Sequence, residues 1–204
     1  MVSSVIMFDR LKKMIESKDY KNYRWFFTSE GKLVIGGKND EQNEMVLKYF
    51  SKTNYIVMHT KAAGSPFMIL QSDNPSQKDI KECAIFCACF SKEWKYGKKL
   101  IDLDIFYGRD IYKNKDMKIG TFGVKNKKEI KVKPELMIII QKGKIRAVPN
   151  LKREEENLTI IRQGKMSKEE AAEKIARKIK DKFLFPVSKE EIMMAIPSGN
   201  MEIK

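Results

Sequence analysis

His59 is the only histidine of the 204 residues, and its imidazole is the side chain best suited to proton transfer near neutral pH. It lies at the end of a predicted strand, before a loop that contains Gly64. As a general base it would need a positioned partner, which Asn43 and Glu44 could supply. As an RNA contact it could stack on a base or donate to a phosphate, and as a structural group it could orient the loop. The sequence leaves these three roles open. Glu44 has an equally plain structural role, because a carboxylate in the first turn of a helix favours the helix dipole.

The glycine-containing stretches do not match known nucleotide-binding motifs. The loop Lys61-Ala-Ala-Gly-Ser-Pro lacks the order of glycine, lysine and hydroxyl that a Walker loop uses to hold a triphosphate. The stretch from Gly31 to Gly37 is not a dinucleotide fingerprint, because no helix follows a G-x-G-x-x-G pattern at once. Paired carboxylates in a pocket context are not visible either. We therefore expect no cofactor and no catalytic residue.

Two tryptophans are candidate stacking platforms, and each stacked base would contribute about 1–3 kcal/mol. Trp94 is flanked by Lys92 and Lys95, and an aromatic ring beside cations at a helix end is the stronger candidate. Trp25 alternates with Phe26 on a predicted strand, so one of the two should point into the core. Core packing is the competing explanation for both tryptophans.

Positive charge is concentrated in one stretch of the chain. The formal net charge is +14, from 41 Lys and Arg against 27 Asp and Glu. Residues 92–146 hold 16 basic and 7 acidic residues, a balance of +9, whereas residues 151–204 hold 12 and 10, a balance of +2. Such charge favours nucleic acid before an anionic membrane, because neutralised phosphates release counterions. The lysine-rich turns 113–115 and 125–128 are suited to phosphate contacts, and simple solvation of lysines is the competing explanation.

Cysteine usage and hydropathy predict a cytoplasmic protein. Cys83, Cys87 and Cys89 lie in one apolar segment without CxxC spacing, which predicts buried, reduced thiols rather than disulfides or a zinc site. No run of 18 apolar residues is present, and Met1 to Lys18 lacks the apolar core of a signal peptide.

A hairpin is predicted near the start of the chain. Arg24 to Thr28 and Lys32 to Ile35 are short runs rich in aromatic and branched residues, and Gly31 can supply the positive φ of the turn between them. The following pair, Gly36-Gly37, allows a close approach of backbone to a neighbouring strand or to a phosphate. We expect Gly36-Gly37-Lys38 to admit RNA backbone.

Apolar spacing and capping residues predict the remaining elements. Asn39 with Gln42, and Ser76 with Asp79, have the spacing of reciprocal helix caps. The predicted helices cover residues 4–18, 39–52, 76–96, 168–182 and 189–195. The further predicted strands cover residues 55–59, 67–70, 103–107, 118–124, 129–132, 136–140 and 145–148.

These elements predict an α+β fold, with a mostly antiparallel sheet or open barrel, two packed helices and a small C-terminal helical appendage. The segment around residue 150, Pro-Asn-Leu, marks a change in charge balance. We therefore expect an N-terminal amphipathic helix at residues 1–20, a main domain at 21–150 and the helical appendage at 151–204.

The chain carries Tyr23-Arg-Trp-Phe, Gly31, Leu33-Val-Ile-Gly-Gly-Lys-Asn, Gln42-Asn-Glu, His59 with Gly64, Ala84 with Ser91 and Trp94-Lys95, and Gly120-Thr-Phe, in that order. The order and spacing of these residues resemble the NFACT-R domain, the RNA-binding domain of NFACT proteins, over about residues 20–125. The large members of that family recognise tRNA on obstructed large ribosomal subunits and direct tailing of the stalled chain. Their NFACT-N domain, helix-hairpin-helix region and coiled coil have no counterpart here, so the chain resembles the stand-alone form.

The resemblance implies a non-catalytic RNA-binding protein that acts on tRNA or ribosomal RNA in ribosome-associated quality control or RNA metabolism. The large ribosomal subunit and an RNA-modifying enzyme are candidate partners, no membrane is expected, and the oligomeric state is not set. Two alternatives stay open: an RNA-modifying or RNA-processing enzyme centred on His59, and an adaptor that docks a ribosomal or enzyme partner through its C-terminal helices. The expected nucleic-acid contacts are Arg24, Trp25, Gly36, Gly37, Lys38, Asn43, Glu44, His59, Lys61, Gly64, Ser65, Lys92, Trp94, Lys95 and Lys113.

Overall fold

The computed structural model describes residues 19–183 and 187–204, so the helix predicted at residues 4–18 lies outside the described residues. Within the described ranges the chain forms five α-helices and twelve strands, which confirms the α+β class. The helices are α1 (Asp40–Phe50), α2 (Gln77–Cys89), α3 (Lys92–Lys95), α4 (Lys168–Phe183) and α5 (Lys189–Ala195). The strands are β1 (Arg24–Phe27), β2 (Leu33–Gly36), β3 (Ile56–Thr60), β4 (Met68–Gln71), β5 (Ile101–Tyr107), β6 (Ile111–Tyr112), β7 (Gly123–Val124), β8 (Lys128–Val132), β9 (Leu136–Gln141), β10 (Lys144–Pro149), β11 (Thr159–Met166) and β12 (Met201–Ile203).

The larger sheet has six antiparallel strands in the order β1-β2-β4-β3-β5-β8. The predicted hairpin is confirmed as β1 and β2, with Trp25 opposite Ile35 and with Gly31 at φ 78° in the turn. The outer edge of β1 is covered by the side chain of Gln141, which bonds both the N–H and the carbonyl of Phe27, at 2.7 and 2.9 Å. The Phe27 end of this edge is therefore satisfied without a further strand.

Each face of the larger sheet buries a separate apolar cluster. On one face Trp25, Ile35 and Phe106 pack with Val46 and Leu47 of α1. On the other face α2 packs between the larger sheet and a second sheet of four antiparallel strands, ordered β10-β9-β11-β12. Side chains that alternate along each strand therefore serve two cores, which fixes the register of the sheet.

Helix α2 is the central element between the two sheets. Its N-terminus has the predicted capping box, in which Ser76 and Asp79 exchange hydrogen bonds at 3.0 and 3.1 Å. The predicted burial of Cys83, Cys87 and Cys89 is confirmed, and burial raises the pKa of the Cys87 thiol to about 12. These thiols act as small apolar groups of the core.

The C-terminal segment is built into the second core. Helices α4 and α5 form as predicted, but β11 and β12 were not predicted and complete a sheet begun by β9 and β10. Ile175, Ile192 and Met201 are buried in the same cluster as α2. The residues on either side of position 150 therefore share one sheet and one core.

Two predicted elements differ from the structure. The long helix predicted to reach Tyr96 ends at Cys89, because Ser91 caps a separate short helix, α3, and accepts from the N–H of Trp94. The strand predicted at residues 118–124 is mostly loop, and only β7 pairs, with β6. None of the described helices is long and apolar enough to cross a membrane.

Candidate nucleic-acid interface

A cleft of about 550 Å³ opens where β3 ends and α1 and α3 begin. Five of the predicted contact residues line it: Asn43, His59, Gly64, Ser65 and Lys92. The loop between β6 and β7 supplies the opposite wall. We call this space the glycine cleft. Further lining residues that sequence reasoning missed are Asp40, Asp104, Ile119, Thr121, Phe122 and Lys127.

His59 is held as a neutral, structurally anchored ring at the base of the glycine cleft. Its Nδ1 lies 2.6 Å from the carbonyl oxygen of Thr60, and its ring stacks on Phe67 with 4.4 Å between centroids. Burial lowers the pKa of His59, and the hydrogen bond to Thr60 and the charge of Asp104 only partly oppose this. In the neutral ring Nδ1 carries the proton and donates to the Thr60 carbonyl, so Nε2 can accept one further hydrogen bond but cannot donate one.

Loop residues 61–66 are held rigidly by local hydrogen bonds. The Oγ of Ser65 accepts from the N–H of Thr60 at 2.9 Å, and the carbonyl of Gly64 accepts from the N–H of Lys92 at 2.9 Å. Gly64 has φ 103°, and a Cβ at this position would lie 2.8 Å from Cγ of Lys92. The glycine thus allows the Lys92 side chain to lie against the loop.

Glu44 is a brace inside the protein rather than an RNA contact or a partner of His59. Its carboxylate accepts from Nζ of Lys113 at 2.8 Å and from the N–H of Gly120 at 2.9 Å, and it also pairs with Lys48 at 3.1 Å. These hydrogen bonds lower the pKa of Glu44 although burial opposes them. Nζ of Lys113 also donates to two loop carbonyls, so the predicted phosphate contact by Lys113 is wrong. The brace positions the far wall of the glycine cleft.

The glycine pair makes room for protein, not for RNA. Gly36 and Gly37 are both buried. A Cβ on Gly36 would collide with the side chain of Met68, and one on Gly37 would lie 2.6 Å from the backbone nitrogen of Asn43. The prediction that this pair admits RNA backbone is therefore wrong, because strand β4 and the first turn of α1 occupy the space.

Both tryptophans belong to the core. Trp25 and Trp94 are each 1% exposed, so neither presents a face to a base, and the predicted stacking role is wrong for both. Trp25 and Phe26 do point to opposite faces of the sheet, but each face is covered. Lys95, the neighbour of Trp94, is exposed on α3.

A second, smaller cavity of about 140 Å³ lies between β1 and β10. Five cations line it: Lys21 ahead of β1, Arg24 from β1, Lys38 from the turn after β2, and Lys144 and Arg146 from β10. The guanidinium of Arg146 lies over the ring of Trp25 at 4.6 Å, and that of Arg24 over Phe90 at 4.9 Å. We call this space the cation pocket.

The cations of the cation pocket lack carboxylate partners within the described part of the chain. No ion pair within 4.0 Å forms at Arg24, Lys38 or Arg146 there, and Nε of each arginine is buried without a hydrogen bond. Burial lowers the pKa of Arg146 to about 10, with Glu191 opposing it from a distance. Burial and then repulsion by the two arginines lower the pKa of Lys38.

The lysines around β8, in contrast to the cations of the pocket, are paired with carboxylates. Lys61 pairs with Glu129 at 2.6 Å, and the pairs Lys127–Asp104 and Lys131–Asp102 lie at 2.7 and 3.3 Å. Lys98 pairs with Glu93. We call Lys61, Lys98, Lys127 and Lys131 the paired lysine edge. Within residues 92–146 these pairs match Lys98, Lys127 and Lys131 with carboxylates of the same stretch, so its excess of +9 rests on the other basic side chains.

The glycine cleft and the cation pocket are neighbours. Phe90 lines the cation pocket, and Lys92, two residues further along the chain, lines the glycine cleft. In the same way, Lys38 lines the cation pocket and Asp40 lines the glycine cleft. Residues two apart in sequence lie within about 7 Å of each other. One extended ligand could therefore contact both cavities.

Comparison with known families gives the class of this chain. The family model of the NFACT protein RNA binding domain matches residues 22–126, about half of the 204 residues. The chain therefore belongs to this family, and the resemblance seen in the sequence is confirmed. Arg24 and Lys38 lie within the matched residues, whereas Arg146 lies beyond them.

Several ribosome quality control proteins are relatives. The archaeal Rqc2 homolog aRqcH of Methanocaldococcus jannaschii is 26% identical over 209 residues, which cover 95% of this chain and 31% of that protein. The human ribosome quality control complex subunit NEMF is 28% identical over 80 residues, 37% of this chain and 7% of that protein. The Drosophila melanogaster NEMF homolog is 34% identical over 61 residues, 30% of this chain and 6% of that protein.

The chain spans about a third of the archaeal relative and less than a tenth of the two animal ones. Because the archaeal alignment covers 95% of the chain, it includes most of the C-terminal segment. A solved structure of the C-terminal part of the fibronectin/fibrinogen-binding protein from Streptococcus suis matches 55% of this chain and 45% of that one, with a TM-score of 0.51 and 21% identity. That likeness concerns the fold alone.

Proposed function

We propose that this protein binds structured RNA, tRNA or ribosomal RNA, in ribosome quality control in the cytoplasm, without catalysing a reaction. The observation that carries the proposal is the set of cations in the cation pocket, which have no carboxylate partners among the described residues. An open cleft lies beside this pocket, and the chain belongs to the NFACT RNA-binding family. The large ribosomal subunit is the partner that suits the relatives' function best.

The cation pocket supports binding to a polyanion because its charges repel one another in the free protein. Arg24, Lys38 and Arg146 converge without carboxylates among the described residues, and burial disfavours their charged forms. A phosphate would relieve both the repulsion and the lost hydration. The stacked and bonded ring of His59 and the exposed amine of Lys92 extend the same surface into the glycine cleft.

The enzyme hypothesis has weaker support in the geometry. Proton transfer by His59 needs a carboxylate that orients or accepts from it. Glu44 is engaged by Lys113, Lys48 and Gly120. Asp104, the register partner of His59 on β5, pairs with Lys127 at 2.7 Å, and the Nδ1 of His59 donates to the Thr60 carbonyl. We therefore assign His59 a binding role at the cleft.

Titration of the chain with tRNA at several salt concentrations tests the proposal. Affinity should fall steeply as salt rises, with a log–log slope that grows by about 0.7–0.9 per neutralised phosphate. Duplex DNA of matched length, which carries the same charge density without RNA shape, should bind more weakly. Absence of tRNA binding at low salt, or affinity that is independent of salt, would contradict the proposal.

A further inference from the structure

The cation pocket has the features of a site for one phosphate group. Its volume of about 140 Å³ has room for a phosphate group. Its walls hold two guanidinium groups and the amines of Lys21, Lys38 and Lys144. These are the side chains that recognise phosphate by paired hydrogen bonds and by charge.

The two arginines are positioned in advance by aromatic rings. Arg146 lies over Trp25 at 4.6 Å, and Arg24 lies over Phe90 at 4.9 Å. Trp25 is fixed in the core by edge contacts with Tyr20 and Phe27, so its ring is a rigid support. Stacking on a ring leaves the hydrogen-bonding edge of a guanidinium free, and it reduces the entropy lost when an anion binds.

The donors at this site are incompletely used. The Nε atoms of Arg24 and Arg146 are buried and have no hydrogen-bond partner among the described residues. Each Nε is closed to solvent, so the donors left for an anion are the terminal nitrogens of the two guanidinium groups, which bond no described residue. Glu191 is the one acidic residue of the lining, and it forms no ion pair with Arg146 within 4.0 Å.

We propose that the cation pocket binds one backbone phosphate of the RNA, held by Arg24 and Arg146 with Lys38 at its rim. This inference rests on the proposed function for the source of the phosphate. It makes Arg146, which lies outside the matched family residues, part of the RNA surface. Strand β10 thus adds to the RNA-binding domain the arginine that completes the site.

Two variants and one matched control test the phosphate site in the full chain. Arg146→Gln removes a guanidinium within the pocket, and Lys38→Gln removes an exposed amine at its rim, where loss of folding is not expected. Arg109→Gln is the control, because Arg109 is also stacked on an aromatic ring, Tyr107, at 4.7 Å, but on another surface. Thermal unfolding is followed in inorganic phosphate and in chloride of matched ionic strength, and tRNA affinity is measured for each variant.

We expect phosphate to raise the melting temperature of the wild type and of Arg109→Gln more than that of either pocket variant. General stabilisation by phosphate as a solvent additive acts on all variants alike and cancels in this comparison. The tRNA affinity should fall about tenfold or more in Arg146→Gln and stay within about twofold in Arg109→Gln.

The possible failures are distinguishable. Equal phosphate stabilisation and equal tRNA affinity in wild type and Arg146→Gln would overturn the phosphate site and leave the proposed function intact. Pocket-specific phosphate stabilisation with unchanged tRNA affinity would overturn the assignment to RNA backbone. If phosphate stabilises the wild type more than the pocket variants but the wild type binds no tRNA, the proposed function is overturned. The pocket then stands as a site for free phosphate.

Discussion

The cation pocket and the paired lysine edge are both basic, but they differ in what surrounds each charge. Along the edge, Lys127 and Lys131 meet Asp104 and Asp102 of the neighbouring strand. In the pocket, Arg24, Lys38 and Arg146 have no carboxylate partner among the described residues, and burial lowers the pKa of each. Exposed pairs contribute little to stability and leave little net charge for a ligand. The number of lysines in a stretch is therefore a poor guide to where a polyanion binds.

The largest expected effect is a loss of RNA affinity in variants of the cation pocket that far exceeds the loss in variants of the paired lysine edge. The double variant Arg24→Gln/Arg146→Gln should lose about a hundredfold or more in tRNA affinity, since each charge-assisted hydrogen bond contributes about 1.5–3 kcal/mol. Lys127→Gln/Lys131→Gln, which removes the same formal charge from the paired lysine edge, should lose about threefold or less. Filter binding or fluorescence anisotropy at one salt concentration measures both. Equal losses would show that only total charge matters.

The next effect concerns stability and the brace at Glu44. Glu44→Ala should lower the free energy of unfolding by about 2 kcal/mol, because the amine of Lys113 and the N–H of Gly120 lose their partner. Lys38→Ala in the cation pocket should leave that free energy unchanged or raise it, since it removes repulsion with the arginines. Urea unfolding of the two variants gives the comparison. A stable Glu44→Ala protein with reduced tRNA affinity would restore Glu44 as a direct contact.

A similar or slightly smaller loss is expected at the glycine that precedes Lys38. Gly37→Ala places a methyl group against the backbone nitrogen and the side chain of Asn43. Overpacking of this kind costs about 1–3 kcal/mol of folding free energy. Chemical denaturation measures the loss, and tRNA affinity of the folded fraction should change little. Unchanged stability with lost affinity would instead place RNA against the glycine pair.

The smallest effect is a pH dependence that arises at His59. Burial lowers the pKa of His59 below its ordinary value of 6.5, so the unfolded chain binds the proton more readily than the folded one. Its contribution to stability is complete above pH 6.5 and declines as the pH falls below that value. The unfolding free energies of the wild type and of His59→Gln should therefore become more alike as the pH falls. Titration of the carboxylates affects both proteins equally and does not change the difference between them. A difference that stays constant with pH would contradict a lowered pKa.

Local elements could be predicted from the sequence because neighbouring residues determine them. Asn39 and Ser76 cap α1 and α2 as their spacing indicates, and Gly31 turns the hairpin. The break at Ser91 was missed because the apolar pattern continues through it. Strand β11 was missed because its stability comes from β9 and β12, which are far away in sequence.

The sequence could predict some residues of the functional surface, but it could not predict that Arg146 joins Arg24 in the cation pocket. His59, Gly64 and Lys92, which the sequence placed among the expected contacts, line the same cleft, because one strand–loop connection holds the first two together and Lys92 bonds the loop. Arg24 and Arg146 are 122 positions apart, and only packing of the two sheets brings them to one pocket. The only signal in the sequence was an arginine between the apolar residues Ile145 and Ala147 of a strand.

The salt dependence of tRNA binding by Arg146→Gln and by Lys131→Gln tests the central claim most directly. If the cation pocket holds a phosphate and the paired lysine edge does not, Arg146→Gln should reduce the log–log slope by about 1, whereas Lys131→Gln should leave it unchanged. A reduced slope in Lys131→Gln together with an unchanged slope in Arg146→Gln would contradict the account.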